Sequence, residues 1–217
     1  MKNLKIIFDF DSTILKFETI EILADYALKN NKNKNSILEE VKKITNQAME
    51  GKLDFSSAIA KRIALLNITN ENILQTTIFL KNHLSNSFEE NFHNFDKENC
   101  FIISGGFKEI ILPLMLPFGF KKENIFANNF KFNSNGFADI NSNNDLSKNH
   151  GKNLVAKKIE GEKIIIGDGY TDYELKKYND AKIFILFTEN IHRENLTKHA
   201  DYIAKNFKDV KKILKNV

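Results

Sequence analysis

Short apolar runs that end in polar clusters recur along the chain. Leu4-Lys5-Ile6-Ile7-Phe8 runs into Asp9-Phe10-Asp11-Ser12-Thr13, and Cys100-Phe101-Ile102-Ile103 runs into Ser104-Gly105-Gly106. Lys163-Ile164-Ile165-Ile166 runs into Gly167-Asp168-Gly169-Tyr170-Thr171-Asp172. Each reads as a buried strand whose carboxyl end carries polar groups. Lys182-Ile183-Phe184-Ile185-Leu186-Phe187 adds a fourth strand. Helical periodicity lies beside each run, which predicts an α/β fold with a doubly wound parallel sheet. Ligands of such sheets sit outside the carboxyl ends of the strands, so the three polar clusters should meet in one crevice.

Between the first two strands the pattern changes. Glu18–Leu28, Ser36–Met49, Phe55–Leu66 and Glu71–Leu84 carry apolar residues at spacings of three and four, and Ser36-x-x-Glu39 reads as a capping box. Four helices here predict a small inserted helical cap domain over residues 16–80, leaving 1–15 and 81–217 as the core domain. Further on, Asn128–Ile140 predicts a hairpin around Asn133-Ser134-Asn135-Gly136, and the polar stretch Asn141–His150 a loop.

Composition narrows the class. No apolar stretch approaches the ~18 residues of a membrane span. Ile6-Ile7-Phe8 before Asp9 falls short of the ~7–15 residues of a signal segment. One cysteine, Cys100, cannot form an internal disulfide; it fits a reducing compartment and reads as a small apolar residue opening a buried strand. A cytoplasmic protein is therefore expected, with no membrane partner. Lys+Arg 32 against Asp+Glu 28 gives a net charge of +4, too little for a nucleic-acid-binding face unless the lysines cluster. Within that count only Arg62 and Arg193 are arginine.

Asp9, Asp11, Asp168 and Asp172, brought together at strand ends, offer an oxygen-rich site suited to Mg²⁺. Asp9-x-Asp11 alone also occurs in solvated turns. Ser104-Gly105-Gly106 offers a hydroxyl and backbone N–H groups at a helix N-terminus, a geometry that binds anions, although such a tripeptide is also an ordinary turn. Gly151-Lys152 opens a helical pattern and could send an ammonium into the same crevice, with Lys148 as a rival. The five histidines show no metal-ligand spacing.

In this order, the four clusters resemble the motifs of the haloacid dehalogenase superfamily of phosphotransferases, over almost the whole chain and including the inserted cap. The resemblance implies a HAD-like Rossmannoid core and makes Asp9 the nucleophile that becomes an aspartyl-phosphate. Asp11 would then protonate the departing alkoxide and later take a proton from water. Asp168, the Asp9 carboxylate and the backbone carbonyl of Asp11 would hold Mg²⁺, with Asp172 supporting its waters. Ser104, the Gly105 N–H and Lys152 would fix the phosphoryl oxygens. The physical need agrees, because a carboxylate approaches a phosphate dianion only when cations offset the repulsion.

The cap should choose the substrate. Arg62 on a cap helix presents a planar fork suited to a carboxylate, and Glu18 after the first motif could meet an ammonium. These features, with Phe55 shielding the site, resemble the phosphoserine phosphatase family within the superfamily. The resemblance implies hydrolysis of a small phosphomonoester, O-phospho-L-serine above all, in serine biosynthesis, by a monomer or homodimer. The alternative is a phosphatase or phosphotransferase acting on another small phosphorylated metabolite. A phosphoacceptor receiver domain fits less well, since its acceptor lies on a middle strand and no cap follows. Tyr170 departs from the alanine common in the family and bears on the substrate if its ring enters the crevice. Arg193 is expected in a structural ion pair or at a helix start.

Overall fold

The computed structural model describes residues 4–217; residues 1–3 of the expected core segment lie outside the described residues. Strand β1 (Leu4–Phe8) is followed by helices α1 (Thr19–Ala27), α2 (Lys34–Met49), α3 (Phe55–Ala64), α4 (Asn70–Leu80) and α5 (Asn86–Asn91). Next come β2 (Cys100–Phe107), α6 (Lys108–Met115), β3 (Ile125–Asn128), β4 (Phe130–Phe132), β5 (Ala138–Ile140) and α7 (Gly151–Ala156). The chain ends with β6 (Glu162–Gly167), α8 (Tyr170–Lys177), β7 (Ile183–Phe187), α9 (Glu194–Thr197), β8 (Tyr202–Ala204) and α10 (Phe207–Leu214).

Six strands form one parallel sheet in the order β3-β2-β1-β6-β7-β8, with Ile6 opposite Cys100 on one side and Ile164 on the other. The chain winds outward from β1 in one direction and then from β6 in the other. The carboxyl ends of β1 and β6 thus flank the reversal point, where an open α/β sheet forms its crevice. Alternate side chains of β1 serve opposite faces. Phe8 packs with Phe92, Phe95, Phe120 and Phe207 at centroid separations of 5.6 to 6.3 Å, whereas Ile7 joins Ile103, Ile165, Phe184 and Leu186 on the other. Truncating so enclosed a ring as Phe8 to alanine costs about 3–5 kcal/mol, so the strand ends rest on a rigid base.

Four helices, α1 to α4, follow β1 in the chain before it returns to the sheet. The two passages leading to and from them lie side by side: Leu15 bridges Leu84, and the Ser85 N–H donates to the Ile14 carbonyl at 2.8 Å. The hairpin of β4 and β5 touches the same helical layer, where the Ala138 N–H donates to the Ile68 carbonyl at 2.8 Å.

Three local expectations are corrected. Helix α2 begins at Lys34, which places Ser36 inside it and leaves no capping box with Glu39; the box forms instead at Thr69, whose hydroxyl accepts from the Asn72 N–H. Strand β2 continues through Ser104-Gly105-Gly106 to Phe107, with a register shift against β3, so these residues end a strand and α6 starts only at Lys108. The sheet also gains two edge strands, β3 and β8, beyond the four expected.

Candidate active site

Directly after β1 the Asp9 N–H donates to the Ile166 carbonyl of β6 at 2.9 Å, which carries the sheet one residue further and aims the Asp9 side chain into the crevice. The chain then makes one wide turn, Phe10–Ile14, with Ser12 in the left-handed region at φ 54°. This turn lets Asp11 and Glu18 face back over the strand end. The Asp11 carboxylate accepts from the N–H and hydroxyl of Thr19, at the start of α1. Burial, and then the Glu18 charge, push the Asp11 carboxyl well above its ordinary range.

Lys152, buried at the start of α7, places its ammonium 2.7 Å from Asp9 and 2.6 Å from Asp172. Burial alone would lower the lysine, but the Asp172 and Asp9 carboxylates outweigh it and hold the ammonium firmly charged. Its rival Lys148 lies at the surface, paired with Asp145. Asp172 is fixed in turn by the Gly169 N–H at 3.0 Å. Ser104 is fully buried, and its hydroxyl accepts from the Gly106 N–H at 2.9 Å.

One carboxylate oxygen from each of Asp9, Asp168 and Asp172 lies within 4.8 Å of the others. Asp168 Oδ1 has no hydrogen-bond partner although it is buried. The carboxyl groups of Asp9, Asp11, Glu18, Asp168 and Asp172 crowd into this one region, where burial pushes Asp168 well above its ordinary range and Asp172 up to about 7. An orphaned buried carboxylate oxygen and carboxyls driven towards protonation are both costly to keep charged, and both fit a divalent cation with oxygen ligands.

Helix α3 supplies the opposite wall. Phe55, Ile59 and Arg62 of α3 line the same pocket as Asp9, Asp11, Glu18, Ser104, Gly105 and Lys152. Arg62 is buried and anchored at two points, Nε to the Ala58 carbonyl at 3.2 Å and Nη1 to the Thr45 hydroxyl at 3.1 Å. Burial lowers its pKa against the raising effect of Glu18, Asp11 and Glu21. The Phe55 ring lies flush on Gly105, where a Cβ would fall 2.5 Å from Cζ. All ten residues singled out from the sequence thus sit in or beside one crevice.

Arg193 is the residue the sequence reading left without a functional account. It precedes α9, as a helix start would, and its ion pair is with the site itself: Nε donates to Asp168 Oδ2 at 2.9 Å, and Nη2 lies 3.6 Å from Glu18 Oε1. The one available signal was its rarity. The Tyr170 ring lies outside the pocket over Asp9, in a neighbouring groove beside Gly51.

No protein-family model matches the chain. It is 30% identical over 208 residues to a phosphoserine phosphatase of Bos taurus, covering 92% of this chain and 88% of that one. The chain belongs to the phosphoserine phosphatase family. It is a phosphatase of the α/β class, with the fold of that family. Among solved structures it is similar to a phosphoserine phosphohydrolase-like protein from Francisella tularensis, at 33% identity and a TM-score of 0.89, covering 99% of this chain and 100% of the other. It is also similar to a phospho-aspartyl intermediate analogue of phosphoserine phosphatase, at 28% identity and a TM-score of 0.78, covering 100% and 99%. Among the described residues, no helix is long and apolar enough to cross a membrane.

Proposed function

We propose that this phosphatase hydrolyses O-phospho-L-serine to L-serine and phosphate in the cytoplasm, through an aspartyl-phosphate on Asp9 and with Mg²⁺ as cofactor. The observation that carries the substrate is the pairing of Glu18 and Arg62, opposite charges lining one pocket with Asp9. A small zwitterion bearing a phosphate is the ligand whose ammonium, carboxylate and phosphoryl group match these three positions.

In this reading Ser104, the Gly105 N–H and Lys152 hold the phosphoryl oxygens. An Asp9 oxygen attacks phosphorus as the bond to the serine oxygen breaks, and the departing oxygen takes the Asp11 proton. A water then attacks the same phosphorus, gives its proton to Asp11, and releases phosphate with Asp9 restored. Asp9, Asp168, Asp172 and the Asp11 carbonyl would hold Mg²⁺, whose charge would offset that gathering on the phosphoryl oxygens. Thr19, as a donor to the Asp11 carboxylate, orients the proton carrier. Phe55, closed on Gly105, excludes bulk water.

Phosphate release from O-phospho-L-serine, measured beside sugar phosphates and phosphorylated alcohols, tests the substrate; a flat response to phosphoserine overturns it. Arg62→Ala should raise KM for phosphoserine by about 10²-fold, the scale set by losing a charged hydrogen-bonded partner, and leave an aryl phosphate nearly unaffected. Equal losses on both substrates would remove the carboxylate role.

A further inference from the structure

Tyr170 opens α8 between two of the clustered carboxylates, Asp168 and Asp172, yet its ring takes no part in the chemistry proposed above. It meets the cap. Gly51, in the turn between α2 and α3, has φ +74°, and a Cβ built there would fall 2.8 Å from ring atoms Cγ and Cδ2 and 2.9 Å from Cδ1. No side chain fits between the Gly51 backbone and the ring. From the core side the ring is held in place: the Lys177 ammonium donates to the Tyr170 hydroxyl at 3.0 Å, and Tyr173 packs edge-on at 5.7 Å.

The same cap segment carries two side chains that reach the other way. Met49 Sδ lies 2.9 Å from the Cβ position of Gly169, and Phe55 Cζ lies 2.5 Å from that of Gly105. At all three points a large side chain on one side of the seam rests on bare glycine backbone on the other. Such contacts are satisfied in one relative placement only, because packed surfaces do not deform continuously. The groove lined by Gly51 and Tyr170 shares Phe55 and Thr171 with the catalytic pocket. Loss of the Tyr170 contact would therefore open the pocket to solvent from this side.

We propose that Tyr170 is a positioning residue: its ring seats the Gly51 turn and so sets where Met49 and Phe55 rest over the core glycines. The functional consequence rests on reading the Asp9 pocket as the phosphomonoester site. The seating itself needs no substrate and is measured separately. If the seated cap is the binding-competent state, reducing its population raises the apparent dissociation constant in proportion, while the chemistry of molecules that do close is little changed.

Hydrogen–deuterium exchange over residues 49–57 of the full chain, without substrate, reads the seating. Tyr170→Ala should speed exchange there and raise KM, each by about tenfold, with a much smaller change in kcat. Tyr170→Phe keeps the ring against Gly51 and loses only the exposed hydrogen bond from Lys177, so it should fall much closer to the parent than to Tyr170→Ala. Gly51→Ala carries backbone strain at φ +74° in either background, and the collision with the ring adds to it only where Tyr170 is present, so its effect on exchange should be larger in the parent than in Tyr170→Ala. Unchanged exchange over 49–57 in Tyr170→Ala, or an equal Gly51→Ala effect in both backgrounds, overturns the proposal. Tyr170→Leu, read the same way, gives the answer if the alanine variant does not fold. Faster exchange with an unaltered KM would keep the seating and overturn its role in binding.

Discussion

Arg193 reaches Asp168 through Nε and leaves the other oxygen, Oδ1, buried without a partner. A carboxylate held through one oxygen is restrained from rotating, which leaves the other oxygen free for a cation shared with Asp9 and Asp172. Partners of this kind typically change metal affinity by 10–100-fold when removed. Arg193→Gln should therefore weaken Mn²⁺ binding, followed by electron paramagnetic resonance, by about that factor. Arg193→Lys, which keeps charge but not the planar fork, should fall between. Equal Mn²⁺ affinity in all three proteins would show that Asp168 needs no such hold. The residues in the pocket differed in how visible they were from sequence. Asp9, Ser104 and Asp168 stand where an apolar run stops, and Lys152 follows a glycine at a helix start. Arg193 follows a strand after five residues of loop, and nothing local ties it to Asp168, 25 positions earlier.

Helix α3 delivers both Phe55 and Arg62, so its start matters to the site. Asp54 caps it, accepting from the Ser57 N–H and the Ser56 hydroxyl at 2.9 Å each. These hydrogen bonds, that from the Ser57 N–H foremost, lower the Asp54 pKa to about 2. The unfolded value is about 3.9, so the depressed folded value makes the cap fully effective above roughly pH 5 and progressively lost as pH falls towards 2. Asp54→Ala should cost about 1 kcal/mol at pH 7, which lowers the melting temperature by about 2–4 °C in a chain of this size. Asp54→Asn should retain most of that stability but lose its share of the acid dependence. Melting curves between pH 3 and pH 7 distinguish the three proteins; an alanine variant that melts like the parent at pH 7 rules out the cap. Helices α1 to α4 could be read from three- and four-residue apolar spacing, whereas their ends could not. Ser36 and Glu39 had the residue types of a capping box, but α2 had already begun at Lys34; at Thr69 the partner is Asn72, a weaker sequence signal than glutamate.

For the whole molecule, the four inner strands could be read from apolar runs long enough to be buried on both faces, whereas their order comes from the structure. The edges could not be read: β8 is three residues with only Ala204 buried, and β3 is four, too short for periodicity to mark. Neither edge alters the crevice, which belongs to β1, β2 and β6. Yet the crevice makes the fold bear a cost, because it buries several carboxyl groups side by side within a sheet that is otherwise apolar. Burial disfavours their charged forms and so favours the unfolded chain, where each carboxylate is hydrated. A divalent cation that binds only the folded arrangement must therefore stabilise the protein by mass action. At a hundred times its dissociation constant, Mg²⁺ contributes about 2.7 kcal/mol, equivalent to a rise of roughly 5–10 °C in melting temperature. The rise should appear between chelator-treated and Mg²⁺-saturated protein, and Asp168→Asn should abolish most of it. A parent indifferent to Mg²⁺, or an Asp168→Asn variant with an undiminished rise, would place the cation elsewhere.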